Sequence, residues 1–167
     1  MTFETTRTAP STAQQQGQQA RTRKVAVICS KAGLDECYPA FILANAARQS
    51  GMEAMIFFTF YGLDVITAAK AGKLGVNMAG NPASPMPTMV AGLPGMESVA
   101  ASMMKKQMAD LDLPDVPEML ELVHEAGVEL YACELAMDMM KLDRSDLVPQ
   151  VGDVLTAGDF YDLSEGA

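Results

Sequence analysis

The sequence predicts an α/β domain with a doubly wound, mostly parallel sheet of four to five strands flanked by helices. Short runs of consecutive apolar residues, such as residues 25–29 and 55–60, are typical of strands that are buried on both faces of a parallel sheet. Segments with helical periodicity follow these runs. The alternation of strand and helix indicates βαβ units with right-handed crossovers.

The length of 167 residues suits a single domain, which we expect over residues 24–167. Residues 1–23 are rich in Thr, Gln, Ala, Ser and Arg, so we expect a disordered tail there. The net charge of −9 argues against a nucleic-acid binder. Three cysteines and no apolar leader predict a reducing, cytoplasmic location. No cofactor is expected, and a single histidine gives no reason to expect a metal.

The first predicted strand leads through a Gly-containing turn into a helix over about residues 35–49. Pro39 has no backbone N–H, so we expect it in the first turn of that helix. Cys37 would then also lie in the first turn. The second strand is expected over residues 55–60, and a short helix over residues 63–71.

Residues 72–95 interrupt this pattern with five glycines, four prolines and three methionines. A loop of this length inside a domain is usually functional or forms an interface. Helical periodicity resumes over residues 97–111, and Asp115 is expected to cap a helix that ends at residue 126. The remaining predicted elements are a strand over residues 128–132, a helix over residues 134–141, a strand over residues 151–155 and a helical turn over residues 157–163.

Three cysteines are candidates for chemistry at the carboxyl edge of the sheet, where open parallel sheets bind ligands. Cys29 ends the first strand and Cys133 follows the third, so both are expected at this edge, with Cys37 nearby. Cys133 is the strongest candidate, because helix N–H groups follow it and stabilise a nucleophilic thiolate. Cys37 and Cys29 are possible assisting residues, although Asp35 and Glu36 oppose a thiolate at Cys37. Each cysteine could instead simply pack in the core.

Charge and methionine content leave several interpretations open. From residue 110 onward there are 15 Asp and Glu but only two Lys or Arg, which indicates either a solvated surface or a docking face for a basic partner. The 14 methionines fit an adaptable interface or, together with cysteines, Cu(I) ligation. Their helical spacing favours the interface. Peripheral membrane contact through residues 57–63, or through residues 72–95 (the Met-rich loop), also stays open.

Several blocks taken together resemble the DsrE/DsrF-like family of sulfur-relay proteins over about residues 24–163. These blocks are Lys24–Ile28 with Gly33–Asp35, Ile56–Leu63, the Met-rich loop with Met103–Lys105, Gly127–Val128, Ala132–Cys133 and Met137–Met140. The resemblance implies a homo-oligomer in which a cysteine accepts sulfane sulfur as a persulfide and passes it to a partner thiol. It assigns that role to Cys133.

The same resemblance implies two kinds of partner, namely small sulfur carriers of the TusA type and rhodanese-like donors. Leu135 and Ala136 differ from the Met-Ser pair that is common in this branch, so a hydroxyl that could donate to the sulfur is missing. The sequence leaves open whether the protein acts as a sulfurtransferase or as a carrier. Two alternatives are a non-catalytic oligomeric binding or scaffold subunit and a Cu(I)-binding protein.

Overall fold

The structure is a computed structural model that describes residues 23–76 and 96–167. The predicted tail and most of the Gly- and Pro-rich loop lie outside these described residues. Within them, four strands form one sheet: β1 (Lys24–Cys29), β2 (Glu53–Phe58), β3 (Glu129–Cys133) and β4 (Asp153–Leu155). The same ranges contain six α-helices: α1 (Leu34–Gln49), α2 (Leu63–Ile66), α3 (Met96–Ala109), α4 (Val116–Glu125), α5 (Glu134–Met140) and α6 (Ala157–Leu163).

The four strands pair in the order β1-β2-β3-β4, and every pairing is parallel. The register places Cys29 beside Phe58 and Phe58 beside Ala132. One residue further along, Cys133 lies beside Leu155. The predicted α/β class, with a parallel sheet flanked by helices, is therefore confirmed.

Helices cover the two faces of the sheet unequally. Side chains alternate between the faces along each strand, so Ile56 and Phe58 point to one face and Phe57 to the other. The face of Ile56 and Phe58 packs against α1 and α4 and contains the main hydrophobic core. On the opposite face, Phe160 of α6 stacks on Phe57 with ring centroids 4.7 Å apart.

The prediction for Pro39 is wrong, because Pro39 is the sixth residue of α1 and lies in its second turn. The helix begins at Leu34, one residue earlier than expected. Cys37 is nevertheless in the first turn, where its N–H donates to the Gly33 carbonyl at 2.9 Å. The helix tolerates Pro39 because its ring is exposed and only the hydrogen bond to the Asp35 carbonyl is lost.

The helix predicted over residues 63–71 is shorter than expected, since α2 ends at Ile66. Thr67 has an extended backbone and forms an antiparallel bridge with Leu147. The N–H of Val148 also donates to the Ile66 carbonyl at 2.8 Å. Pairing with this distant segment outweighs the local helical preference, and it ties the chain after β2 to the chain after α5.

The predicted start of α4 is confirmed. The side chain of Asp115 caps this helix by accepting a hydrogen bond from the N–H of Glu118 at 3.0 Å. After α4, Gly127 adopts a φ of +84°, which favours glycine because it has no Cβ. This turn directs the chain into β3, which ends at Cys133.

Candidate functional site

Two of the three cysteines lie at the carboxyl edge of the sheet. Cys29 is the last residue of β1 and Cys133 is the last residue of β3, with β2 between them. Because all the strands are parallel, these two ends meet at the same edge. Neighbouring strands are about 4.8 Å apart, so the two cysteine backbones are separated by about 10 Å.

The side chains of these two cysteines point to opposite faces of the sheet. Cys29 pairs in register with Phe58, whose side chain is in the main core. Cys133 pairs with Leu155 and follows Ala132, which pairs with Phe58, so alternation turns the Cys133 side chain toward the other face, while the residue still packs against the border of the main core. A shared edge therefore does not bring the two thiols together.

Cys29 and Cys37 both lie in the hydrophobic core on the side of α1. Cys29 is 3% exposed and Cys37 is fully buried. Their thiols donate weak hydrogen bonds to the carbonyls of Lys31 and Leu34, at 3.4 and 3.8 Å. Burial raises the pKa of Cys29 to about 11. Burial, together with the neighbouring Cys29 thiol, raises the pKa of Cys37 to about 12.

Cys133 is the one cysteine of the three that keeps partial access to solvent. It occupies the N-cap position of α5 with an extended backbone, and its side chain makes no capping hydrogen bond. The thiol is therefore not held by the helix end that follows it. The helix that follows is short, since α5 has only seven residues.

A tight turn after β2 packs directly on the end of β1. The N–H of Thr59 donates to the Cys29 carbonyl at 3.0 Å, and Gly62 lies against the same carbonyl. A Cβ on Gly62 would be 2.0 Å from that oxygen, so this position requires glycine. The 3₁₀ turn Phe60–Gly62 contacts α5, and the side chains of Phe60 and Tyr61 are exposed.

The helix after Cys133 divides its side chains between core and solvent. Ala136 and Met137 are buried, and Met140 is partly buried. The remaining four side chains of α5 are exposed: Glu134, Leu135, Asp138 and Met139. The surroundings of Cys133 are therefore both apolar and acidic.

Other features of the described residues do not involve Cys133. A cavity of about 300 Å³ lies among α1, α3 and α4, and its lining includes Tyr38, Met108 and Pro114. The Tyr38 hydroxyl donates to the Pro114 carbonyl at 2.7 Å.

Within residues 23–76 and 96–167, no cluster of three or more His, Cys, Asp or Glu side chains is arranged to hold a metal ion. In the same ranges, no helix combines the length and apolar character needed to cross a membrane.

Sequence reasoning did not identify Gly62, Phe60 and Tyr61 as parts of the site. A usable signal was present, because a glycine just after a strand often marks close backbone approach. The close approach to the Cys29 carbonyl depends on a neighbouring strand, which the local sequence does not specify.

Fold and site together define an α/β protein with one accessible thiol at the carboxyl edge of a parallel sheet. A model of the DsrE/DsrF/DrsH-like family matches residues 21–167, and the chain belongs to this family. The sulfur carrier protein DsrE2 of Allochromatium vinosum is 36% identical over 150 residues, covering 85% of this chain and 92% of that protein.

Two more distant similarities complete the comparison. The uncharacterized protein YrkE of Bacillus subtilis is 26% identical over 155 residues, covering 88% of this chain and 95% of that one. The structure of a protein of unknown function, MTH1491 from Methanobacterium thermoautotrophicum, gives a TM-score of 0.45 at 12% identity. That alignment covers 84% of this chain and 88% of the other.

Proposed function

We propose that this protein accepts sulfane sulfur on Cys133 as a persulfide and passes it to the thiol of a partner protein. The observation that carries the proposal is the accessibility of Cys133 at the carboxyl edge, while the other two cysteines are buried. Membership of the DsrE/DsrF/DrsH-like family and 36% identity to a protein named as a sulfur carrier support the same chemistry.

The proposed transfer consists of two displacements at sulfur. The Cys133 thiolate attacks the outer sulfur of a donor persulfide, a new S–S bond forms, and the donor leaves as a thiolate that takes a proton from water. An acceptor thiolate then attacks the outer sulfur of the Cys133 persulfide. A new S–S bond forms between the outer sulfur and the acceptor, the S–S bond to Cys133 breaks, and Cys133 leaves as a thiolate. The exchange therefore needs no external oxidant or reductant.

Cys133 works without a second cysteine in this proposal, and Cys29 and Cys37 act as core residues. A disulfide needs Cα atoms about 4.4–6.8 Å apart, whereas Cys29 and Cys133 are about 10 Å apart and point to opposite faces. The raised pKa values of Cys29 and Cys37 keep both as thiols near neutral pH, and thiols are poor nucleophiles. The sulfur therefore leaves only to an external thiol.

The partners we propose are small sulfur carriers of the TusA type and rhodanese-like donors, as the family resemblance implies. We also propose that the chain forms a homo-oligomer. Large apolar side chains that are exposed on α1 and α3 support this assembly, and they include Ile42 and Leu43 at 49% and 59% and Met103 at 62%. Three unpaired cysteines fit a reducing compartment.

Persulfide mapping tests the proposal. The purified protein is incubated with inorganic polysulfide, excess reagent is removed, thiols and persulfides are alkylated, and peptides are identified by mass spectrometry. We expect one added sulfur on the peptide that contains Cys133, and none in Cys133→Ser. A persulfide on Cys29 or Cys37 instead, or no added sulfur on the folded protein, would refute the proposal. Retained partner binding without any sulfur uptake would point to a scaffold.

A further inference from the structure

We propose that the surface beside Cys133 docks a partner protein whose reactive cysteine is flanked by basic and apolar side chains. This inference deepens the proposed sulfur transfer and rests on it. The docking surface consists of six exposed residues on α5 and the 3₁₀ turn after β2: Phe60, Tyr61, Glu134, Leu135, Asp138 and Met139.

The exposed side of α5 is divided into two stripes. Residues of an α-helix are spaced by roughly 100° around its axis, so positions four apart lie nearly above one another. Glu134 and Asp138 form an acidic stripe by this spacing, and Leu135 and Met139 form an apolar stripe beside it. The buried side of the same helix holds Ala136 and Met137, which fixes the orientation of both stripes toward solvent.

The 3₁₀ turn contacts α5 and adds two exposed aromatic side chains to this edge of the sheet. Phe60 and Tyr61 are 50% and 70% exposed, and Leu135 and Met139 are 67% and 62% exposed. Four large exposed apolar side chains on two contacting elements are a feature that marks protein–protein contact. Aromatic residues and methionine are also enriched in such interfaces.

The acidic stripe has no neutralising partner within the described part of the chain. Neither Glu134 nor Asp138 forms an ion pair there. Lys31, which follows β1, is paired with Glu36, and Lys70, which follows α2, is paired with Asp64. The docking surface therefore presents a negative charge, and a positively charged partner surface complements it.

The occupant is a different protein rather than a second copy of this chain. A symmetric contact between two copies would place the acidic stripes of Glu134 and Asp138 against each other, and like charges oppose association. A second copy on this surface would also cover Cys133, whereas sulfur transfer requires an external sulfur atom to reach it. The partner thiol must therefore approach beside α5.

The test uses synthetic peptides and needs no persulfide. In the first peptide a cysteine is flanked by Leu and Lys, and in the second a cysteine is flanked by Leu and Glu. The cysteine of each peptide is joined to thionitrobenzoate as a mixed disulfide. The Cys133 thiolate attacks the peptide sulfur, an S–S bond to the peptide forms, and the thionitrobenzoate anion leaves and is measured by absorbance. Uncharged mercaptoethanol, reacted with both peptides, corrects for their intrinsic reactivity. Loss of the reaction in Cys133→Ser shows that Cys133 is the thiol measured.

We expect the corrected rate ratio of basic to acidic peptide to be about tenfold at low salt and to approach one at high salt. Charge reversal by Glu134→Lys with Asp138→Lys should lower this ratio by about tenfold or more. The matched control is Glu121→Lys with Glu125→Lys, which has the same spacing and charge change on α4, toward the opposite edge of the sheet. The control should lower the ratio much less.

Equal effects of the two double variants, or a ratio near one at low salt, would overturn the electrostatic part of the inference. A third peptide, which is the basic peptide with Ser in place of Leu, tests the proposed apolar contact. This part of the inference is overturned if the Ser peptide reacts as fast as the basic peptide that contains Leu. A changed sedimentation coefficient in Glu134→Lys with Asp138→Lys would assign the surface to a second copy. Because no step uses a persulfide, these results separate failure of the docking surface from failure of sulfur transfer.

Discussion

Substituting Gly62 by alanine should disrupt the carboxyl edge of the sheet. The added methyl group would lie 2.0 Å from the carbonyl oxygen of Cys29, 2.8 Å from its carbon and 3.2 Å from the Cα of Ser30. All three atoms belong to the backbone, so no side-chain rotation relieves the overlap. The turn and the end of β1 must separate by about 1.5 Å before the methyl group reaches an ordinary contact distance of about 3.5 Å. Gly62 has a φ of −59°, so the backbone conformation itself adds no penalty.

The expected loss follows from the contacts that this separation breaks. The 3.0 Å hydrogen bond from the Thr59 N–H to the Cys29 carbonyl is lost. Such a bond contributes about 0.5–1.5 kcal/mol to the free energy of unfolding. Forced repacking of a tight contact adds about 1–3 kcal/mol. The free energy of unfolding should therefore fall by about 2–4 kcal/mol, and the melting temperature by roughly 10 °C.

Urea unfolding of Gly62→Ala measures this loss, with Gly75→Ala as the matched control. Among the described residues, a Cβ on Gly75 meets no atom within 4 Å, so the control should stay within about 0.5 kcal/mol of the wild type or be slightly more stable. If Gly62→Ala also remains within about 0.5 kcal/mol at an unchanged m-value, then the turn does not pack on the Cys29 carbonyl as described, and our account of the edge is wrong.

Three further predictions concern the cysteines and α4. Alkylation of the native protein near neutral pH should modify Cys133 first, with Cys29 and Cys37 protected until unfolding; early labelling of either would contradict their burial. Because the pKa values of Cys29 and Cys37 are raised from 9.0 to about 11 and about 12, the stability they contribute is complete below pH 9. This stability is lost as the pH rises toward 12, by about 2–4 kcal/mol for each thiol. Cys29→Ala or Cys37→Ala should therefore weaken the dependence of the free energy of unfolding on pH, and an unchanged slope would contradict the raised pKa values. Asp115→Ala removes the cap on the Glu118 N–H and should cost about 1 kcal/mol in thermal unfolding, whereas no change would mean that the cap is not needed.

Much of the fold is predictable from the sequence because its signals are local. Continuous apolar runs identify the first two strands, although β2 is Glu53–Phe58 and so lies two residues earlier than the expected residues 55–60. Asp115 marks the start of α4 by its position just ahead of an apolar-periodic segment. Strand direction alone also places Cys29 and Cys133 at one edge. These inferences hold because a buried parallel strand and a capped helix each depend on residues that are adjacent in the sequence.

The relation between the three thiols is not predictable in the same way. The face of the sheet on which Cys29 or Cys133 lies depends on the register between strands, and a shift of one residue would reverse it. The burial of Cys37 depends on how α1 packs on the sheet. Likewise, α2 ends at Ile66 because Thr67 pairs with Leu147, which is distant in the chain. Tertiary contacts of this kind are absent from local patterns.

The placement of the cysteines also constrains how a sulfur on Cys133 can leave. An enzyme with a resolving cysteine can release sulfur by forming an internal disulfide, but Cys29 is about 10 Å away on the other face of the sheet. In the proposed transfer, a persulfide on Cys133 would therefore wait for an external thiol, and its lifetime would be set by how often an acceptor reaches the carboxyl edge. Under this scheme, the rate of discharge increases with acceptor concentration until docking saturates. In the proposed scheme, the exposed acidic and apolar residues of α5 would select the acceptor, a step that neither Cys29 nor Cys37 can perform.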